Sequence, residues 1–321
     1  RGVQSGTAGL HLSLLALGLQ PNQEVIVPTL TFIAAVNPVR YAHSYPVFMD
    51  CDDGLNMDPI KLRSFLEEEC YFENNIVINK SSGRRVRGIV VVHVFGNPAR
   101  MEQIMQIAEE FNLFVLEDAS EALGSKYTEG KYAGKYCGTI GDLGVFSFNA
   151  NKIMTTGGGG MVVSSNEDLA DQISFLATQA KTDPLRFIHD EVGYNYRLTN
   201  IAAAFGLSQI DKIEEFLQTK KENYFRYKKA FHNHGLKMLD FDKGTRPNYW
   251  FYSLLVDQDE FGMDKETLME KLIDYGIQTR PIWGLIHQQK PYLSHQTYKI
   301  EKAMYYVDRV LNIPCSTNLS K

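Results

Sequence analysis

Residues 88–94, GIVVVHV, restrict the fold more than any other stretch of this chain. An unbroken β-branched run of this length suits a strand covered on both faces, because a strand wetted on one face alternates apolar with polar residues. Strands of that kind belong to parallel sheets packed between helices. The spacing predicts helices over 7–17, 31–42, 58–70 and 99–111, the first stopped by Gly18 and the second kinked or shortened by Pro38. Strands are predicted over 24–28, 46–50, 114–117, 143–148 and 161–164. Such alternation reads as an α/β fold with a mostly parallel central sheet and helices on both faces. Ligands then gather at the carboxyl ends of the strands. Residues 1–235 form a large cofactor-binding domain that ends in a long linking helix over 199–235, with Gly235 as its stop. Residues 236–321 form a smaller C-terminal α/β domain, with a strand over 249–256, a helix over 265–275 and a last helix ending near Leu311.

Composition narrows the function classes. The chain has 321 residues, 44% of them apolar and 22% charged, with a net charge of −5. That describes a folded globular protein with no nucleic-acid partner. No apolar run approaches the roughly 18 residues of a membrane span, and no signal peptide is visible, so a cytoplasmic protein is expected. Cys51, Cys70, Cys137 and Cys315 form no C-x-x-C pair and read as free thiols in a reducing compartment. The eight histidines make no ligand set, so no metal is expected; His232 and His234 are placed at a solvated helix end. Arg1 runs straight into a glycine turn and a helix, which suggests that the numbered chain begins inside a longer protein.

Three stretches carry candidate chemistry. Ser5-Gly6-Thr7-Ala8 is a small turn opening a helix, a natural anion site, although an ordinary helix cap has the same look. Asp118, at the end of VLED, is an acid at a strand's carboxyl end. Taken alone it reads equally as a cap; buried, it needs a cationic partner such as the ring nitrogen of pyridoxal phosphate. In SFNANK, Lys152 follows a strand into the same region, with Ser147 before it and four glycines, Gly157–Gly160, after it. A lone lysine is usually a solvated surface group, but the small residues and the apolar strand beside this one favour a buried amine able to form an imine.

The order of these pieces, phosphate turn, acid, then strand-end lysine, is that of fold-type I pyridoxal-phosphate enzymes. Over about its whole length the chain resembles the DegT/DnrJ/EryC1/StrS sugar aminotransferases. The resemblance is carried by SGTAGLHLSLLALGL, EVIVPTLTFIAAVNPVRYA, VFGNPARM, LEDASEALGS, GDLGVFSFNANKIMTTGGGGMV and GYNYRLTNIAAAFGLSQI. It implies that Lys152 holds pyridoxal 5′-phosphate covalently and that Asp118 pairs with its ring nitrogen. It further implies phosphate contacts from Gly6, Thr7 and Ser147, and stacking of Phe32 on the ring. Asn195 is then expected to reach the phosphate across a homodimer interface, so that two subunits share each active site. An N-terminal segment of some tens of residues, present in relatives, is expected to be absent here. Glu121 and the four glycines depart from the pattern: the family commonly has glutamine beside the cofactor's phenolic oxygen, and Gly-Glu-Gly-Gly.

EDASEALG, FNANK, ATQAK and GYNYRLTN resemble the bacillosamine and legionaminic-acid branch. That resemblance implies transfer of an amino group from L-glutamate to C4 of a nucleotide-linked 4-keto-6-deoxy-N-acetylhexosamine, UDP-linked, for bacterial surface glycans. Arg280, Pro281, Ile282, Trp283 and His287 are the expected substrate contacts, with Tyr292 near them. The alternatives are a different keto sugar nucleotide such as GDP-4-keto-6-deoxymannose, a fold-type I lyase, or a non-catalytic pyridoxal-phosphate-binding protein. A related group that dehydrates sugars has histidine in place of the lysine, and Lys152 argues against that chemistry.

Overall fold

The computed structural model describes residues 1–231 and 235–320. His232 and His234 lie outside the described residues. The main sheet takes its shape from five neighbouring strands that run parallel. In spatial order they are Leu143–Ser147, Phe114–Asp118, Arg85–Val92, Glu24–Pro28 and Tyr45–Met49. Gly160–Val163 and then Gly2–Val3 extend one side antiparallel, and Thr297–Tyr298 adds to the other in parallel with Phe48 and Met49. The chain builds outward from Glu24–Pro28 to Tyr45–Met49. It then crosses back to Arg85–Val92 and builds in the opposite direction. That reversal opens a crevice between neighbouring strands at their carboxyl ends.

Alternation along the strands divides the core in two. Val25, Val27, Val90, Val92 and Leu116 pack with Leu10, Leu12 and Leu14 of the helix Gly6–Ala16 on one face. Ile26, Ile89, Val91 and Val115 pack on the other with the helices Pro59–Glu68 and Met101–Glu110. Caps set the helix ends as the sequence suggests. Ser5 accepts from the Ala8 N–H, Asp58 accepts from Ile60 and Lys61, and Gly18 takes φ +76° after the first helix.

Several expected elements differ. Residues 31–42 are a 3₁₀ turn, Ile33–Ala35, and then a short helix, Asn37–Tyr41, because Pro38 can only open a helix. The linking helix is two helices, Asn200–Ile210 and Ile213–Ala230, broken at Asp211 and Lys212. Tyr249 sits at φ +53°, which delays the expected strand to Tyr252–Val256. The last helix is Lys302–Val307; residues up to Leu311 do not continue it, because Val310–Ile313 pairs as a strand with Tyr252–Val256. A hairpin, Cys70–Glu73 with Ile76–Asn79, and a helix, Glu167–Ala177, occupy stretches without a strong period. After residue 235, a separate four-stranded sheet contains Leu236–Met238, Tyr252–Val256, Val310–Ile313 and Arg280–Pro281.

Below the strand ends lies a buried anion. Glu117 accepts from the N–H groups of Gly138, Ile140 and Gly141 at 2.6–2.8 Å and from His93 Nε2 at 2.9 Å. The Ala99 N–H donates to His93 Nδ1, so that nitrogen carries the lone pair and Nε2 carries the hydrogen given to Glu117. Burial opposes the charge, but the His93 and backbone donors outweigh it and hold the carboxyl below its ordinary 4.5. A depressed carboxyl lends stability that is full above the unfolded value and drains as pH falls through the folded one. Glu117→Gln turns an amide N–H₂ toward groups that donate, and is expected to cost about 3 kcal/mol at neutral pH. Urea melts of the two proteins should show this gap at pH 7 and its narrowing below about pH 4.5.

Candidate active site

A cavity of about 690 Å³ opens at the carboxyl ends of the parallel strands. Thr31 and Phe32 enter it from the segment after Glu24–Pro28. Val92, Asp118 and Ser147 enter from the ends of the next three strands. The segment Arg280 to Gly284 closes it from the side of the second sheet.

One end of the cavity is an anion cradle. The helix Gly6–Ala16 begins there, and its first-turn N–H groups have no helical acceptor. A Cβ on Gly6 would lie 3.0 Å from both Ser120 Oγ and the Ser147 Cβ, so this helix start and two serines crowd one spot. The close approach also depends on Gly160, where a Cβ would sit 2.8 Å from the Gly6 nitrogen and 2.7 Å from the Phe146 carbonyl oxygen. Positive helix potential, free N–H groups and hydroxyls together favour a phosphate.

Asp118 stands at the end of Phe114–Asp118 on the face opposite Glu117, since neighbouring strand residues alternate. It is buried, and its Oδ1 accepts from the Ser120 N–H at 3.0 Å. Burial pushes its carboxyl above the usual range, against the pull of Ser120 and Lys152. A buried acid raised in this way suits a cationic ligand group.

Lys152 lies on the loop that follows Ser147. The loop folds back on itself through Phe148 N–H to Gly159 O and Thr156 N–H to Phe148 O, both 2.9 Å. Gln209, on the helix Asn200–Ile210, grips it from outside, donating to Thr155 O and accepting from the Thr155 N–H. The Lys152 amine is 13% exposed and 3.6 Å from Glu121 Oε1. It stands 4.0 Å from the centre of the Trp250 ring, whose Nε1 donates to Asn151 O. Burial pushes the Glu121 carboxyl up to about 7, with Lys152 and the Phe95 N–H pulling down and Asp118 pushing up.

Of the expected site residues, Gly6, Thr7, Phe32, Asp118, Glu121, Ser147, Lys152, Arg280, Pro281, Ile282 and Trp283 all line this one cavity. Trp283 packs 4.7 Å from Phe95 and 6.3 Å from Phe32, ring centre to ring centre. His287 does not line it; its Nδ1 meets Thr29 Oγ1 at 2.6 Å. Tyr292 is also outside, donating to Asn37 Oδ1. These two side chains tie the 286–292 stretch to the loop that carries Phe32. Asn195 is exposed and lies away from its own chain's cavity. Sequence reasoning missed Ser120, Trp250, Phe251 and Asn312, which also line the cavity. Ser120 sits within the LEDASEALGS string, two residues past Asp118; the other three lie in stretches whose period says nothing of a cleft.

The description of the DegT/DnrJ/EryC1/StrS aminotransferase family matches residues 2–321. This chain belongs to that family. Its members are pyridoxal-phosphate-dependent sugar-nucleotide aminotransferases. Among relatives of this DegT/DnrJ/EryC1/StrS member, GDP-perosamine synthase of Escherichia coli O157:H7 is 38% identical over 319 residues, covering 99% of this chain and 80% of that one. A UDP-4-amino-4,6-dideoxy-N-acetyl-beta-L-altrosamine transaminase of Campylobacter jejuni is 32% identical over 331 residues, covering 99% and 80%. The crystal structure of a family aminotransferase from Brucella abortus superposes with a TM-score of 0.89 at 25% identity, covering all of this chain and 81% of that one. The fold is that of the solved sugar aminotransferases, fold type I. The family's cofactor fits the cavity on chemistry alone: an anion cradle, a buried acid in need of a cation, and a shielded amine.

Proposed function

We propose that this chain transfers an amino group from L-glutamate to C4 of a nucleotide-linked 4-keto-6-deoxy sugar, working in the cytoplasm as a homodimer. The observation that carries the reading is the meeting of Lys152, Asp118 and the Gly6–Ser147 cradle in one cavity. For the nucleotide, the 38% identity to a GDP-perosamine synthase against 32% to the UDP-linked transaminase favours a GDP-linked sugar over the UDP-linked N-acetylhexosamine expected from the sequence motifs.

In this reading Gly6, Thr7 and Ser147 hold the cofactor's phosphate, Asp118 its ring nitrogen, and Lys152 its aldehyde carbon, with Phe32 against the ring. When bound, pyridoxal phosphate supplies an electron sink that lets a proton leave the carbon bearing the amino group. The Lys152 amine, close over the cavity and shielded by Trp250, takes that proton and returns it. Glutamate and keto sugar use the same cavity in turn, which gives ping-pong kinetics. Arg280 meets the diphosphate with its planar fork, and Trp283 packs on a sugar face.

The dimer reading rests on a bare apolar helix. Ile201, Phe205, Leu207 and Ile210 of the helix Asn200–Ile210 are all exposed, and Gly206 is its one buried residue. Asn195, just before that helix, would reach the partner's phosphate site.

Lys152→Ala is expected to cut turnover by on the order of 10⁴ and to leave no covalently bound cofactor, read by absorbance and by mass after borohydride treatment. Retained activity would end the reading. Mixing inactive Lys152→Ala with inactive Asn195→Ala subunits should restore roughly a quarter of wild-type activity, since half the dimers then carry one intact site. No recovery after subunit exchange would refute shared sites. Offered a panel of GDP- and UDP-linked 4-keto-6-deoxy sugars with glutamate, the enzyme should aminate a GDP-linked member with the higher kcat/KM. Preference for a UDP-linked N-acetylhexosamine would reverse the nucleotide assignment.

A further inference from the structure

Of the two carboxylates that line the cavity, Glu121 is the one that the reading above leaves without a task, and it pairs with the lysine. Its Oε2 is anchored by the Phe95 N–H at 2.8 Å, and its Oε1 faces Lys152 Nζ at 3.6 Å. The backbone on both sides is fixed. Phe95 holds φ +54° against Trp283 and Phe251, and Asn248 donates to Glu121 O at 2.7 Å. The side chain is 6% exposed. Tying down the turn needs one oxygen; the second is spent on the lysine.

We propose that Glu121 is the proton acceptor for the Lys152 ammonium, a positioning residue that sets the protonation state of the amine; this rests on Lys152 being the cofactor lysine. The step is a single transfer. An Nζ–H bond of the ammonium breaks and its electron pair stays on nitrogen as the lone pair. The proton forms an O–H bond at Glu121 Oε1. Ammonium and carboxylate become amine and carboxylic acid with no change in net charge. The reverse transfer restores the ion pair.

The surroundings act on both members of the pair. Burial penalises an ion pair more than the neutral pair it converts to. The Trp250 ring beneath Nζ favours the ammonium, and the Asp118 carboxylate, on the same stretch as Glu121, favours a protonated Glu121. Arg280 is the charged side chain that the opposite wall adds to the cavity, and the Phe95 turn presents only its N–H. With Glu121 pushed up to about 7, the acceptor is available in the neutral range and filled below it.

The test follows the rate at which pyridoxal phosphate attaches to Lys152 in the full chain freed of cofactor, read by absorbance across acid to mildly alkaline pH. Wild type, Glu121→Gln and Glu121→Ala are compared. In wild type the rate should rise through an inflection near 7. Glu121→Gln keeps an acceptor for the Phe95 N–H but takes no proton. It should lose that inflection and attach the cofactor on the order of 10²-fold more slowly in the neutral range. A Glu121→Gln profile matching wild type, with only Glu121→Ala impaired, would show that Glu121 merely ties the turn and would overturn the proposal. A wild-type profile flat through neutrality overturns it without any variant. Failure of pyridoxal phosphate to label Lys152 at all would instead remove the cofactor reading beneath it.

Discussion

The structure depends on how closely one helix start can approach the end of a sheet. The helix Gly6–Ala16 begins against Leu143–Ser147 and Gly160–Val163, and neither Gly6 nor Gly160 has room for a side chain there. Any Cβ at Gly160 would push the helix away and pull its N–H groups off the spot that Ser120 and Ser147 share. The glycines therefore act by exclusion: they admit the positive end of a helix to a place where an anion can bind. Everything else in the cavity is placed relative to that point. The strand order reverses between Arg85–Val92 and Glu24–Pro28, and neighbouring strands deliver Asp118 and the lysine loop to the same rim.

The cavity is an electrostatic arrangement of few parts. Asp118 and Glu121 are both buried acids pushed upward by burial, and Lys152 is the cation that both feel. Their surroundings separate their tasks. Asp118 has its one backbone donor and faces the cavity; Glu121 is pinned by Phe95 and faces the lysine. Removing the Lys152 charge would raise both carboxyls further, so single substitutions here are not expected to act independently.

Much of this was legible in the amino-acid order. The run at 88–94 implied a strand buried on both faces; Arg85–Val92 is one, at the centre of parallel neighbours, while His93 and Val94 leave it for a 3₁₀ turn. Eleven of the expected site residues meet in one cavity, because strand ends and the loops after them are local features that sequence expresses. The misses have a common cause. Trp250, Phe251 and Asn312 reach the cavity through tertiary packing of a second sheet, and Val310–Ile313 is a strand only because Tyr252–Val256 lies beside it. The break at Asp211 and Lys212 carries no glycine or proline to announce it. The motifs that resemble the UDP-sugar branch are cofactor-side strings; they speak less directly to the nucleotide than to the ring.

Glu117 and Asp118 are adjacent, yet one is sealed under the sheet with four donors and the other borders the cavity. Their separation is a matter of parity alone. A frame-preserving insertion or deletion of one amino acid within Phe114–Asp118 would turn each of them to the other face. It would take Glu117 off its four donors and turn Asp118 away from the cavity. Lineages descended from such a chain can lengthen their loops freely, but this strand has to be inherited at constant length.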